Sequence, residues 1–415
     1  MTQVSSSFTN IFESVLCDRK SIPQESLDLA NKFRTSNFPW RGQFSPELVE
    51  IFLNKYSQNN SVILDPFVGS GTTLFEASRK QLTCYGAEIN PSAVEMARTS
   101  HFAKLSFAER NEVVQTAIEL AEKCISPFRW DLFSYEENYS NQKPIEELLR
   151  ETLRKTENML LVHNLIANAI IRYMSYPFPR AETEFLRALQ EHVKIVKSLP
   201  YSNKECSVFH TDARAIPLPT MSIDLIITSP PYINVFNYHQ NNRPAMELMG
   251  WDLLDIARSE FGSNRKNRQN RFLTVIQYAL DMLEALKEMR RLLRLDGKAI
   301  IVIGRESNVR GLSFKNGEVV AAIASGGADF HLETRQERKF KNKFGEIIYE
   351  DILHLVPASK GVVADDSFAR SMALWSLQEA SKNTEEEIRY EALEAKKRAY
   401  TVQKSPLFRS PAAHQ

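Results

Sequence analysis

The spacing of apolar positions changes character along the chain, and each change marks a different kind of element. Residues 1–44 hold no sustained period and read as an irregular arm with a short helix. PELVEIFLNKY then follows Ser45-Pro46, a cap residue plus a first-turn proline, and predicts a helix. The run SVIL at 61–64 ends at Asp65-Pro66 and predicts a short buried strand. Residues 72–79 predict a helix, 82–89 (LTCYGAEI) the next strand and 91–99 another helix. Strand, loop, helix, strand, helix is the opening of a parallel α/β sheet.

From about 101 to 199 the periodicity is almost entirely helical, as in VVQTAIELAEKC and EELLRETLRKTENMLLVHNLIANAII. That is too long for one crossover and reads as a helical insertion. The α/β pattern resumes with strands at 207–210 and 223–227, followed by a second mainly helical stretch at 243–295. Strands are expected at 298–303 and 350–356, then a charged helix at 385–400, with the last dozen residues loose. The expectation is an α/β fold, a mostly parallel twisted sheet flanked by helices, carrying helical insertions. Its segments are the arm and first half of the core (1–100), a helical insertion (101–205), and a second core segment (206–242). A helical and basic insertion (243–295), the remainder of the core (296–375), and a C-terminal helix and tail (376–415) follow. No repeat of fixed period interrupts this order.

Composition narrows the class. With 43% hydrophobic and 25% charged residues over 415 positions, the whole chain is neither disordered nor a coiled-coil rod. Lys+Arg at 52 against Asp+Glu at 51 gives a net charge of +1, so any nucleic-acid contact must come from local patches. Cys17, Cys84, Cys124 and Cys206 form no CxxC pair, and the histidines show no HExxH spacing, so no metal is expected. No stretch approaches the ~20 apolar residues of a membrane span. No basic start followed by an apolar run suggests a signal peptide. A cytoplasmic setting is expected.

The strongest chemical signal is ILDPFVGSGTT at 63–73. The chain leaves a strand, bends at Asp65-Pro66, passes Gly69 and Gly71 and enters a helix. Paired glycines permit positive φ and close approach of backbone to a ligand, and N–H groups at the helix start face that ligand. A phosphate loop would need a lysine that is absent, and a dinucleotide fingerprint would need glycine at Leu74.

DPFVGSGTT resembles the cofactor loop of S-adenosylmethionine-dependent DNA amino-methyltransferases, the N4-cytosine and N6-adenine enzymes. The resemblance implies a Rossmann-like methyltransferase fold with S-adenosylmethionine as cofactor. It implies that Asp65, Pro66, Phe67, Gly69, Ser70, Gly71 and Thr72 wrap the methionine part of that cofactor. Glu88, at the end of the second strand, matches the acidic residue that bonds the ribose hydroxyls. A carboxylate at a strand's C-terminal edge can accept from two vicinal hydroxyls. FPWRGQFSPE at 38–47, including Phe44, resembles the segment that closes the methionine pocket; an aromatic arm packed on the core is the alternative. Asp212, in HTDAR at 210–214, matches a position that contacts adenine, against a simple cap for the following turn.

The second signal is DLIITSPPY at 224–232. A buried strand ends in Ser229-Pro230-Pro231-Tyr232, where two prolines stiffen the loop and leave carbonyls as acceptors. The resembling family uses this motif to hold the exocyclic amine of a base. That amine is a poor nucleophile because its lone pair is delocalised into the ring. Hydrogen bonds accepted by the Ser229 hydroxyl and the Pro230 carbonyl favour a more tetrahedral nitrogen, and Tyr232 can stack on the base. A base inside a duplex must be flipped out to reach such a site. Serine in the first position accompanies cytosine-N4 methylation in this family, and Asp or Asn accompanies adenine-N6 methylation.

FGSNRKNRQNR at 261–271 supplies Arg265, Lys266, Arg268 and Arg271 as candidate DNA contacts. RQERKFKNK at 335–343 is a second basic run. Asn234, Tyr238, His239, Asn241 and Arg243 follow the catalytic loop and are candidates to line the base pocket. The implied activity is a cytosine-N4 methyltransferase acting on double-stranded DNA, the modification half of a restriction–modification pair with a separate endonuclease. Adenine-N6 methylation, RNA guanine-N2 methylation and a non-catalytic DNA-binding subunit are the alternatives.

Overall fold

The computed structural model describes residues 10–30, 33–40, 42–126, 144–178, 180–233, 238–262, 270–342, 344–359, 361 and 364–410. The strands are β1 (Val62–Asp65), β2 (Thr83–Glu88), β3 (Cys206–His210), β4 (Ile223–Thr228), β5 (Leu293–Gly304), β6 (Glu306–Val309), β7 (Leu312–Lys315), β8 (Phe330–Lys341) and β9 (Ile347–Pro357). Among the described residues, seven of them form one sheet in the order β3-β2-β1-β4-β5-β9-β8. β1 to β5 are mutually parallel; β9 runs antiparallel to β5 and to β8. β6 and β7 form a separate hairpin. This mostly parallel sheet, flanked by helices, is the Rossmann-like arrangement.

β4 (IDLIIT) is buried at every position but one, as a central parallel strand covered on both faces must be. The helix Thr72–Arg79 buries all but its last residue, and Pro91–Arg98 is capped by Asn90, whose side chain accepts from the N–H groups of Ser92 and Ala93. Helices Phe107–Ile125, Ile145–Lys155, Leu160–Met174 and Glu184–Ser198 make up the first insertion. They share a core with Phe38, Trp40 and Phe75, so the insertion is packed onto the N-terminal half of the sheet domain. Asn164 and Asn168 bind it to the sheet domain by donating to the Glu95 carbonyl at 2.6 and 2.9 Å.

Several expectations are corrected. The second helical stretch divides: Leu273–Leu292 is a core helix, with Ile276, Ala279, Leu280 and Leu283 fully buried in the same cluster as Ile226 and Ile301. It is the crossover from β4 to β5, so what is inserted ends near Phe272, and β5 already begins at Leu293. As far as Ser410 the tail is not loose. Val402 is buried, Phe408 packs beside Met246, Leu253 and Ile256, and the intervening residues are hydrogen-bonded to the site. The hairpin β6–β7, the helix Asn316–Gly327 and β8 carried no expectation as elements. The basic run at 335–343 falls largely in β8. There Arg335 lies over Phe12, 4.4 Å from the ring centroid, and Arg338 is buried with its Nε 3.5 Å from Glu350. Those two arginines hold the fold together rather than face solvent.

Candidate active site

The strand order reverses between β1 and β4, which pair at Ile63↔Leu225 and Leu64↔Ile226. Open α/β sheets bind ligands in the crevice beyond such a reversal. Asp65 ends β1, and its Oδ1 accepts from Thr228 Oγ1 at 2.7 Å and from the Phe67 N–H at 3.1 Å. Its Oδ2 accepts from Thr73 Oγ1 at 2.6 Å. One buried carboxylate thus ties the glycine loop, the helix behind it and the end of β4. Burial pushes Asp65 up to about 6, against those hydrogen bonds.

Gly69 and Gly71 both have positive φ, 51° and 93°, but they do different work. Gly69 lines the cavity and donates its N–H to Glu88 Oε2 at 3.1 Å. A Cβ on Gly71 would stand 2.7 Å from Ala97 Cα. That glycine lets the loop close onto the helix Pro91–Arg98 and stands behind the residues that line the cavity.

A cavity of about 620 Å³ lies between the two loops. Phe44, Asp65, Pro66, Phe67, Gly69, Ser70, Thr72, Glu88 and Asp212 line it together with Ser229, Pro231 and Tyr232. Pro230 is buried and stays out of the lining. Trp40 also lines it and stacks on Tyr238 with centroids 6.4 Å apart, so the FPW segment both packs and walls the pocket. Tyr238 and His239 line the wall, whereas Arg243 pairs with Glu247 on an exposed helix face.

Glu88 closes β2 as expected. Its Oε1 accepts from the N–H groups of Ile89 and Asn90 at 2.9 and 2.8 Å, and its Oε2 from Gly69. That leaves acceptor capacity on Oε2 toward the cavity. Burial pushes Glu88 up to about 7, against the three backbone donors. Its folded value lies above the ordinary 4.5, so its stabilising contribution is intact below about pH 4.5 and is lost as pH rises to 7. Glu88→Gln cannot ionise there. The melting temperature of the empty variant relative to wild type is therefore expected to rise between pH 5 and pH 8; a constant difference across that range would remove the shift.

Asp212 lies where expected, but its carboxylate is committed. Oδ1 accepts from the Arg214 N–H and Nε at 3.0 and 2.8 Å; Oδ2 accepts from Arg214 Nη2 at 2.6 Å and from the Phe408 N–H at 3.0 Å. Four donors fill its four lone-pair sites, so Asp212 lines the cavity with a carboxylate already held by Arg214 and Phe408. Arg214 also donates to Asp281 at 3.0 Å and to the carbonyls of Ser405 and Pro406 at 2.8 and 2.9 Å. Ser405 Oγ donates to Asp281 Oδ2 at 2.7 Å, and its N–H to Asp281 Oδ1 at 2.8 Å. Ending the chain at Thr401 strips these partners from buried charges. At ~1 kcal/mol per hydrogen bond, plus the apolar burial of Phe408, it should cost several kcal/mol. Thermal unfolding reads this; an unchanged midpoint would make the tail a passenger.

In the loop after β4, Ser229 Oγ and Tyr232 OH lie 3.3 Å apart, and Tyr232 OH donates to Glu350 Oε1 at 3.3 Å. Burial holds the Tyr232 phenol well above its ordinary range, and Glu350 adds to the effect. A Cβ on Gly304 would stand 2.7 Å from Tyr232 Cε2, so the ring lies directly on the backbone at the end of β5. Sequence reasoning missed Gly304 and Glu350. A glycine closing the apolar run KAIIVI was a visible signal; nothing marked Glu350. It also missed Glu260, which lines the cavity and faces His239 Nδ1 at 2.8 Å.

Of the candidate DNA contacts, Arg271 is on the cavity wall, whereas Arg265, Lys266 and Arg268, like the base-pocket candidate Asn234, lie outside the described residues. Among the described residues no helix is long and apolar enough to cross a membrane, and no group of three or more His, Cys, Asp or Glu could hold a metal ion.

A site at this crevice, with an acidic residue ending β2 and a glycine loop after β1, has the layout of a methyltransferase-type α/β domain. Residues 6–99 match the N6/N4 family model described as DNA methylase. The type II methyltransferase M.MjaII of Methanocaldococcus jannaschii is 39% identical over 67 residues, covering 15% of this chain. The match spans 13% of that protein's own length. Similar solved structures include a SAM-dependent methyltransferase from Methanosarcina mazei, with 11% identity, a TM-score of 0.33, and coverage of 73% of this chain and 95% of that one. The PH0226 protein from Pyrococcus horikoshii has 12% identity, a TM-score of 0.31, and coverage of 74% and 87%. The fold assignment rests on the strand order, not on these.

S-adenosylmethionine is the cofactor this family implies, and the residues fit it. The cavity is of the size that takes a cofactor, Glu88 keeps acceptor capacity for hydroxyls, and Gly69 leaves room that a Cβ would fill beside Trp40.

Proposed function

We propose that the protein transfers a methyl group from S-adenosylmethionine to the exocyclic amine of a base in duplex DNA, with cytosine N4 as the target. One observation carries this: Gly69 and Glu88, on the first half of the sheet, share a cavity with Ser229 and Tyr232, more than 140 positions later in the chain. The cofactor supplies, when bound, a methyl group on a cationic sulfur. Glu88 would hold the ribose hydroxyls, while Trp40, Phe44 and Gly69 wall the methionine end. The Ser229 hydroxyl accepts an N–H of the amine, turning the nitrogen lone pair out of the base plane. Tyr232 offers its ring to the extruded base and is itself braced by Gly304 and Glu350. The chain's contribution is chiefly orientation, which can supply ~7–11 kcal/mol of a barrier.

Ser229 in the first position of the tetrapeptide supports cytosine over adenine. A modification role beside a separately acting endonuclease goes with the type II relative and is part of the same proposal. The test is incubation with methyl-labelled cofactor and, in parallel, unmethylated duplex DNA and RNA. Label in DNA is expected. Label in RNA alone would replace this reading with an RNA methyltransferase. DNA binding without label would leave a non-catalytic subunit.

A further inference from the structure

The β8–β9 hairpin runs past the end of the sheet on the side where β4 delivers the catalytic loop. β4 and β5 are parallel, and Gly304, the last residue of β5, pairs with Glu350 of β9, which pairs in turn with Arg338 of β8. The pairs Lys339↔Tyr349, Phe340↔Ile348 and Lys341↔Ile347 lie beyond that point. At ~3.4 Å per residue, this is about 10 Å of two-stranded ribbon projecting past β5 before the turn. That reach is comparable with the width of a DNA groove.

The ribbon is a mix of cations and apolar rings. Lys339 and Lys341 are exposed, Phe344 is 76% exposed, Ile347 53% and Tyr349 43%. Its base is held: the N-terminal arm bonds β8 at Arg335, Glu337 and Lys339. Arg305 lies over the Tyr349 ring, 5.1 Å from its centroid, and is hydrogen-bonded to Asp351. Glu350, one residue from Tyr349, accepts from Tyr232 OH. The ribbon therefore starts at a direct neighbour of the catalytic tyrosine. Lysines beside exposed apolar side chains suit phosphates flanking a groove, with rings and alkyl groups against sugars and bases.

We propose that the tip of this hairpin is a DNA-contact element, with Lys339 and Lys341 on phosphates and Phe344 and Ile347 in the groove next to the extruded base. It rests on the DNA reading above and adds the surface that reading lacks. The charge reversal Lys339→Glu with Lys341→Glu, made in the full chain, is expected to raise Kd for a duplex about tenfold or more. It should also flatten the salt dependence by about two phosphate contacts. Phe344→Ala is expected to raise KM for DNA with cofactor affinity and melting temperature unchanged. If wild type labels DNA and these variants bind and label it equally well at every salt concentration, the hairpin proposal is overturned and the methyltransferase reading stands. If wild type labels no DNA, both fall. Variants that change only self-association in sedimentation would assign the tip to a second copy of the chain and overturn the DNA contact.

Discussion

Tyr232→Ala is expected to lower the rate of methyl transfer at least ~100-fold while cofactor affinity stays within a few-fold of wild type, because misplacing a positioned group costs that much. The ring lies on Gly304, meets Ser229 Oγ and is hydrogen-bonded to Glu350, so it is held before substrate arrives. Gly304→Val should reproduce much of the loss without touching the tyrosine itself, since its Cβ would sit 2.7 Å from Cε2 of the ring. Single-turnover transfer measures the rate, and titration calorimetry measures cofactor binding. Equal losses in both quantities would mean that Tyr232 supports the pocket as a whole and does not orient a base.

Gly69→Val is expected to reverse that pattern, lowering cofactor affinity ~100-fold or more. Three effects combine: a β-branched residue at a φ of 51°, a Cβ 3.1 Å from Trp40 Nε1, and distortion of the N–H that Glu88 accepts. Gly250→Ala separates strain from contact. Its φ is 86°, and a Cβ there meets nothing within 4 Å, so it should cost only ~1–2 kcal/mol of stability and leave cofactor binding intact. Calorimetric binding of the cofactor decides the matter. Full affinity in Gly69→Val would remove the glycine loop from the cofactor site.

Local chemistry made much of this site legible in the sequence. Asp65, Gly69 and Glu88 stand at strand ends beside glycine, proline or asparagine, where a short window carries both the element and its break. Ser229 to Tyr232 follow a run of apolar residues that could only be a buried strand. What stayed hidden depends on partners far apart in the chain. The setting of Asp212 emerges only when Arg214, Asp281 and the tail at Ser405 and Phe408 are brought around it. Gly71 reads like Gly69 until Ala97 is seen against it. β8 was obscured by its own composition. Only Phe330, Leu332 and Phe340 are apolar along FHLETRQERKFK, and an edge strand covered by an arm needs few apolar positions to be stable.

The central claim is that two distant loops form one cavity where a methyl group meets a base amine. Methyl-labelled duplex, digested to nucleosides and resolved by mass, tests it most directly. Label on N4-methylcytosine is the predicted result. Label on N6-methyladenine would keep the shared cavity and correct the base assigned from Ser229. A wild-type preparation that binds cofactor and duplex yet leaves every nucleoside unlabelled would contradict the account.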